Sequence, residues 1–145
     1  MKQVFFFGVF LLGLSLSSCT NISDDDSSSS NISPDATSET LVQVGEWRVS
    51  YFYDKDKDET SDFNSYTFRF NDDGTMEAVQ GTSTVTGTWK EINDDGFRKL
   101  VIAIGVTKPL SELNDDWIIE ERTDVVIKLR DDNDEHLEAL HFSAL

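Results

Sequence analysis

The chain contains one cysteine, Cys19, and the role of its thiol bears on where the protein works. A lone thiol can serve as a nucleophile, a metal ligand, a buried apolar side chain or a point of lipid attachment. Because there is no second cysteine, the sequence excludes an intramolecular disulfide, a CxxC redox pair and a cysteine-rich zinc site.

A second group of residues that could do chemistry is the acidic run DKDKDETSD, in which carboxylates alternate along the chain. The spacing resembles the first half of a calcium loop, but Glu59 stands where the EF-hand requires glycine, and a serine replaces its final glutamate. The EF-hand is therefore excluded. Two interpretations stay open: a looser calcium site formed by Asp54, Asp56 and Asp58, or a solvated hairpin tip.

The two histidines, His136 and His141, are five residues apart. On one strand they would face opposite sides, so they cannot form a paired metal site without a bulge. The sequence also contains no GxSxG motif, no HExxH motif and no glycine-rich phosphate loop. We therefore predict that the protein is not an enzyme and has no cofactor.

Length and charge restrict the class of protein further. The 145 residues are enough for one sizeable core and too few for two ordinary domains, so we predict one folded unit and a monomer. Acidic residues outnumber basic ones by 28 to 12, which gives a net charge of -16. Such a surface repels phosphate groups, so nucleic acid and electrostatic docking on anionic lipid are both disfavoured.

The first 18 residues have the layout of a secretory signal. A lysine follows the initial methionine, residues 4–16 form a 13-residue apolar run, and two serines complete the segment. A membrane-spanning helix needs roughly 20 apolar residues, so the run is too short to span a bilayer. We predict that residues 1–18 are a cleaved signal peptide.

The segment Leu16-Ser17-Ser18-Cys19 resembles the lipobox of bacterial lipoproteins. The resemblance implies that Cys19 is lipidated at the new N-terminus and that several acyl chains hold the protein in a membrane, since one chain alone binds weakly. The alternative is an ordinary secretory signal with an incidental cysteine. Three aspartates at 24–26 resemble the export tag of surface-exposed outer-membrane lipoproteins; a solvated charge run that extends the chain is the other interpretation.

The segment that follows the cysteine offers little material for a core. Residues 19–40 are rich in serine and aspartate and poor in large apolar side chains. Burial there cannot offset the loss of chain entropy, so we predict a lipidated cysteine and a disordered tether, followed by a folded domain at residues 41–145.

From residue 41 onward apolar residues recur with period two, the pattern of half-buried strands. The motif NDDG occurs at 71–74 and again at 93–96, where Asn and Asp favour the start of a turn and Gly its end. Residues 107–116 hold the one candidate helical turn. We predict a mainly β fold in which eight antiparallel strands form an up-and-down meander that closes into a barrel and so removes its edges.

The segment Gly45-Glu46-Trp47 at the first strand resembles the G-x-W signature of lipocalins, and Gly87-Thr88-Trp89 repeats it. The similarity covers residues 41–145 and implies a lipocalin-like barrel that binds a small apolar ligand. A lipocalin also places a basic residue near its last strand against the first-strand tryptophan. Arg130 is the nearest candidate here and comes one strand too early.

An eight-stranded barrel can hold one small ligand among its inward side chains. The residues predicted to line it are aromatic: Trp47, Tyr51, Tyr66, Phe68, Phe70, Trp89 and Trp117. The same residues would also form the core of a filled barrel. The leading hypothesis is therefore an outer-membrane lipoprotein with a non-enzymatic ligand-binding domain. The alternative is a structural or adhesive surface protein with a filled barrel, whose acidic loops bind calcium or a protein partner.

Overall fold

The computed structural model describes residues 36–133 and 137–145. All of them lie in one unit, Ile32–Leu145, and most are in strands. The strands are β1 (Trp47–Asp54), β2 (Lys57–Asp58), β3 (Thr67–Phe70), β4 (Thr75–Gln80), β5 (Ser83–Asp94), β6 (Phe97–Ala103), β7 (Asp115–Arg122), β8 (Val126–Arg130) and β9 (Ala139–Ala144).

The sheet is a meander that closes on itself. From β3 to β9 each strand pairs antiparallel with the next, and β1 pairs with both β3 and β9. The eight strands β1 and β3 to β9 therefore form the closed barrel that the sequence predicts. The ninth strand, β2, is a two-residue addition that pairs with the end of β1 as a hairpin.

Alternation of apolar and polar residues explains which side chains enter the core. On β8, Ile127 and Leu129 are buried while their neighbours are half-exposed, and on β9 the same holds for Leu140 and Phe142. Successive side chains of a strand point to opposite faces, so period two in the sequence becomes one buried and one solvated face. The period-two interpretation is confirmed.

The two NDDG segments form the turns that were predicted from them. Asn71 to Gly74 joins β3 to β4, and the second copy joins β5 to β6. The terminal glycines, Gly74 and Gly96, have φ of +82° and +83°, a region that glycine enters without steric cost.

One helix precedes the barrel and was not predicted. α1 (Ala36–Val44) starts five residues inside the predicted tether, so the expected boundary at residue 41 falls within a helix. Leu41 on this helix is fully buried, and its carbonyl accepts a 3.0 Å hydrogen bond from Trp47 Nε1. The helix is thus attached to the end of the barrel where β1 begins.

The predicted helical turn at 107–116 is present as a short 3-10 helix, Leu110–Leu113, with both leucines buried. A second 3-10 helix, Thr60–Phe63, follows β2. In the part of the chain that the structure describes, no helix combines the length and hydropathy needed to span a bilayer. The predicted signal peptide, Cys19 and residues 20–35 lie outside the described residues, as does His136.

A bulge in β1 changes which of its residues face inward. The pairing with β9 shifts register between Val49 and Tyr51, so the inward face passes from Trp47 and Val49 to Phe52. Strict alternation from Trp47 predicts Tyr51 inside, and the apolar Phe52 is out of phase with that pattern. The structure reverses this: Phe52 is buried and Tyr51 lies on the outer wall.

Candidate functional site

The barrel interior is filled by aromatic and aliphatic side chains. Trp47, Phe68 and Trp117 are fully buried, and Phe70 and Trp89 nearly so. The Phe70 ring lies perpendicular to Trp89 at 5.5 Å between centroids, a favourable edge-to-face arrangement. These five predicted ligand-lining residues therefore pack in the core, against one another and against Phe52, Phe142 and other buried residues.

The two tyrosines predicted to offer hydroxyl groups to a ligand lie elsewhere. The Tyr51 ring stacks on Tyr53 with 6.2 Å between ring centroids, and its centroid lies 4.9 Å from that of His141. All three rings therefore lie on the outer wall of β1 and β9. Tyr66 is half-buried and packs beside Phe68 just before β3. The placement of Tyr51 in the interior was wrong, because the β1 bulge turns it outward.

One of the predicted residues, Trp89, also borders a surface groove. The groove has a volume of about 520 Å³ and lies between α1, the β3–β4 turn and β5. Val42 and Trp89 give it an apolar patch, and Glu39, Asp72 and Glu91 are among its acidic neighbours. The indole nitrogen of Trp89 already donates to the carbonyl of Asn71 at 3.0 Å, so only the ring surface is available there.

At the end of the barrel opposite Trp47 and α1, carboxylates take the place of apolar side chains on the inward face. On four strands that are neighbours in the closed barrel, or one residue beyond their ends, the residue two positions from a buried core residue is acidic: Asp54 beyond Phe52, Asp115 before Trp117, Asp131 beyond Leu129 and Glu138 before Leu140. Residues two apart on a strand share a face, so these four carboxylates point toward the same barrel mouth. We call this the acidic end.

The acidic end brings carboxylates into two groups. Asp54, Glu59 and Glu112 form the first, and Asp115, Asp131 and Glu138 form the second. In each group one oxygen of every member lies within 4.8 Å of the others. Residues from five separate segments thus meet in space, and among them Asp54 alone belongs to the calcium site predicted from the sequence. Extending the strand alternation past the core would have pointed to Asp115, Asp131 and Glu138.

The first group contains a buried oxygen atom without a hydrogen-bond partner. Glu59 is 8% exposed, and its Oε2 accepts no hydrogen bond. Lysines supply the nearby positive charge: Lys57 pairs with Glu59 Oε1, and Lys55 Nζ lies 3.3 Å from Asp54 Oδ1. Both ammonium groups are largely exposed, so these pairs contribute little to stability.

A cavity of about 320 Å³ opens between the two groups. Asp54, Glu112, Asp115 and Glu138 line it, together with Lys55, Lys108, Ser111 and Asn114. Lys108 pairs with Glu112 across one side. The cavity is therefore polar and strongly acidic, with exposed cationic side chains at its edge.

Burial and neighbouring charges shift the pKa values of several carboxyl groups at the acidic end. Burial raises the pKa of the Asp115 carboxyl above its ordinary value. Burial, and then the neighbouring Asp54, also raise the pKa of Glu138. In contrast, the Lys57 ammonium lowers the pKa of Glu59. Ionisation of Asp115 and Glu138 therefore costs more free energy in the folded protein than it does in solvent.

The three aspartates of the predicted calcium loop do not converge. Asp56 is exposed at the hairpin tip with φ of +71°. Asp58 is also exposed, and its Oδ1 accepts a 3.0 Å hydrogen bond from the Thr60 amide. Of the three, Asp54 alone belongs to a carboxylate group found among the described residues.

A separate cluster of charged side chains on the outer wall links neighbouring strands. Lys99 is 3% exposed, and its ammonium donates to Asp94 at 3.0 Å, Asp116 at 2.9 Å and Asp132 at 2.7 Å. The three carboxylates raise the pKa of Lys99 further above its ordinary value. This charge is therefore paired, and it connects β5, β6 and β7 with the loop after β8.

The fold resembles that of one solved structure. No protein-family model matches the chain, and no curated protein matches it significantly. The barrel is similar to the crystal structure of a DUF4847 family protein from Bacteroides vulgatus, with a TM-score of 0.50 and 18% identity. The match covers 74% of this chain and 96% of that one. At this identity the likeness supports the β-barrel fold alone.

One lipocalin feature is absent from the described residues. Arg130 pairs with Glu120 and lies over the Phe97 ring, 5.8 Å from its centroid. It stands where β8 ends, whereas Trp47 lies where β9 ends, so the two are at opposite ends of the barrel. The tryptophan nitrogen is bonded instead to the Leu41 carbonyl.

Proposed function

We propose that this protein is a lipid-anchored, non-enzymatic protein of the cell envelope, held in the outer membrane through Cys19. Its barrel serves as a filled scaffold that binds partners or ions at its surface, with the acidic end as the binding region. This corresponds to the structural or adhesive interpretation of the sequence. Internal carriage of an apolar molecule, as in a lipocalin, is the interpretation that it replaces.

The packed interior is the observation that carries this proposal. Five of the seven residues predicted to line a ligand cavity are buried against other core side chains. Three described cavities, of about 520, 290 and 320 Å³, are bordered largely by loop, helix or outer-wall residues. A ligand inside the barrel would have to displace these buried side chains.

A second candidate is supported by the groove beside α1. Val42 and Trp89 offer an apolar surface in a volume within the usual range for small-molecule sites. In this version the predicted small apolar ligand binds outside the barrel. The groove is open and bordered by several carboxylates, so a neutral ligand would suit it better than an anionic one.

Native mass spectrometry of the purified full chain, combined with titration by an apolar fluorescent probe, tests the proposal. We expect no stoichiometric small molecule beyond covalent modifications and no saturable probe binding. Saturable binding that is lost in Val42→Asp would support the groove instead. Saturable binding unaffected by that change would place the ligand in the interior and overturn the filled scaffold.

Anchoring is tested separately. In a gram-negative host, Cys19→Ala should abolish metabolic labelling with a fatty acid and leave the protein unprocessed or released from membranes, because no thiol remains to be acylated. A variant that is still labelled and membrane-bound would contradict the assignment of Cys19.

A further inference from the structure

We propose that Asp54, Glu59 and Glu112 bind one calcium ion at the acidic end of the barrel. The inference rests on the proposed function and deepens it, because it names the ligand of the region through which the filled barrel acts. The three residues come from the end of β1, from the loop that follows β2 and from the 3-10 helix Leu110–Leu113.

One orphaned oxygen of the first group points to a ligand that the protein atoms do not supply. Glu59 Oε2 is buried and accepts no hydrogen bond, whereas Asp54 Oδ1 has the exposed Lys55 ammonium 3.3 Å away. A buried carboxylate oxygen without a partner is costly, and such groups are rare in folded proteins. Glu59 is more than nine-tenths buried, so bulk water does not compensate it. A cation between the carboxylates would satisfy this oxygen.

The spacing of the oxygens fits calcium. Calcium binds oxygen at about 2.3 to 2.6 Å, so two of its ligands lie at most about 4.6 to 5.2 Å apart. One oxygen of each of the three carboxylates lies within 4.8 Å of the others. A single ion can therefore reach all three. The adjoining cavity of about 320 Å³ leaves room for the water molecules that complete six to eight ligands.

The second carboxylate group is less prepared for a cation. Asp131 is buried, but its Oδ1 accepts hydrogen bonds from the amides of Asp132, at 2.6 Å, and Asn133, at 3.3 Å. Its Oδ2 accepts another from the Asn133 side chain. Because these oxygens are already satisfied, a metal would have to replace existing bonds there. The first group is favoured for this reason.

Lysines around the first group would compete with the ion and not exclude it. Lys57 and Lys108 pair with Glu59 and Glu112 through ammonium groups on side chains that are 69% and 73% exposed. Both side chains can swing into solvent when a divalent cation arrives. Removing one of them should therefore strengthen calcium binding, an effect opposite in sign to that of removing a ligand.

Isothermal titration of the purified full chain with CaCl₂, at fixed ionic strength, measures the site. We expect about one ion per chain, and an affinity about tenfold or more lower in Glu59→Gln or Glu112→Gln, since affinity follows the number of charged ligands. Lys108→Met should bind more tightly than wild type. Asp56→Asn and Asp58→Asn, in the same hairpin, are the matched controls and should bind as wild type does.

Three results would overturn the proposal: no saturable calcium binding, unchanged affinity in both Glu59→Gln and Glu112→Gln, or loss of binding in the Asp56 and Asp58 controls. The last result would restore the hairpin-tip site. Circular dichroism without calcium verifies that each variant is folded. If Glu59→Gln does not fold, the half-buried Glu112 still decides the outcome. Failure here leaves the filled scaffold standing, because that is judged by apolar probes and native mass.

Discussion

The two ends of the barrel are built from the same strands and finished in opposite ways. Where β1 begins, Trp47 is buried beneath α1, and its ring nitrogen bonds to the Leu41 carbonyl. Where β1 ends, the inward face continues into Asp54 and meets other carboxylates. The first end, the helix end, is closed by apolar packing. At the acidic end, exposed lysines form ion pairs with the crowded carboxylates.

This difference separates stability from binding within one domain. Burial of large apolar side chains supplies most of the favourable free energy of folding, so the helix end should be sensitive to truncation. Crowded carboxylates oppose folding unless a cation is present, so the acidic end should gain stability when charge is removed. The strands that fill the core therefore supply stability at the helix end and a binding surface at the acidic end.

Trp47→Ala should have the largest effect. Truncating a buried tryptophan removes its packing and typically costs about 3 to 5 kcal/mol, a large share of the roughly 5 to 15 kcal/mol available to a domain. Chemical denaturation should show a much lower midpoint or an unfolded chain. An unchanged midpoint would mean that Trp47 is exposed, and the helix end would no longer differ from the acidic end.

Leu41→Ala should cost less, about 2 kcal/mol. The side chain is fully buried, but a nine-residue helix at the edge of the barrel can shift to fill part of the space that is lost. Denaturation of this variant beside Gln43→Ala, at an exposed position of the same helix, isolates the burial effect. Equal midpoints for wild type and Leu41→Ala would show that α1 does not close the barrel.

Asp115→Asn should have the smallest effect and the opposite sign. Burial raises the pKa of Asp115 in the folded state, so its contribution to stability is present below the ordinary carboxyl pKa and is lost as pH rises through the folded value. At neutral pH without calcium, the neutral amide should gain about 0.3 to 0.5 kcal/mol, after allowance for screening by solvent.

The matched control is Asp72→Asn, an exposed aspartate at the helix end, which should leave the free energy of unfolding unchanged. Lowering the pH from 7 toward the raised pKa of Asp115 should reduce the difference in free energy of unfolding between Asp115→Asn and wild type. A less stable Asp115→Asn, or a difference that grows on acidification, would contradict the account of the acidic end.

Local pattern was sufficient to predict the barrel strands. Period-two alternation and the two NDDG turns predicted all eight, because strand faces and tight turns depend on neighbours in the sequence. α1 was missed because its sequence, ATSETLVQV, is rich in small polar residues, and its place depends on contacts made by Leu41 with the barrel. Tyr51 was misplaced because nothing local marks the bulge in β1, apart from the apolar Phe52 out of phase.

The candidate site was largely beyond prediction from sequence. Asp54 and Glu138 are 84 positions apart and meet because β1 pairs with β9 when the barrel closes. Glu59 lies in the loop after β2 and Glu112 in a 3-10 helix, and the alternation rule applies to neither. The acidic run at 54–62 suggested the right kind of chemistry, but the structure brings one of its three predicted ligands, Asp54, into a group with Glu59 and Glu112.

Hydrogen–deuterium exchange of the full chain with and without calcium compares the two ends most directly. A filled barrel with one cation-binding end predicts slower exchange at residues 54–60 and 110–114 when calcium is added, because the ion joins these segments. Residues 36–44 and 71–74 at the helix end should exchange at the same rate in both conditions. Equal slowing at both ends, or no change at residues 54–60 and 110–114, would contradict the account.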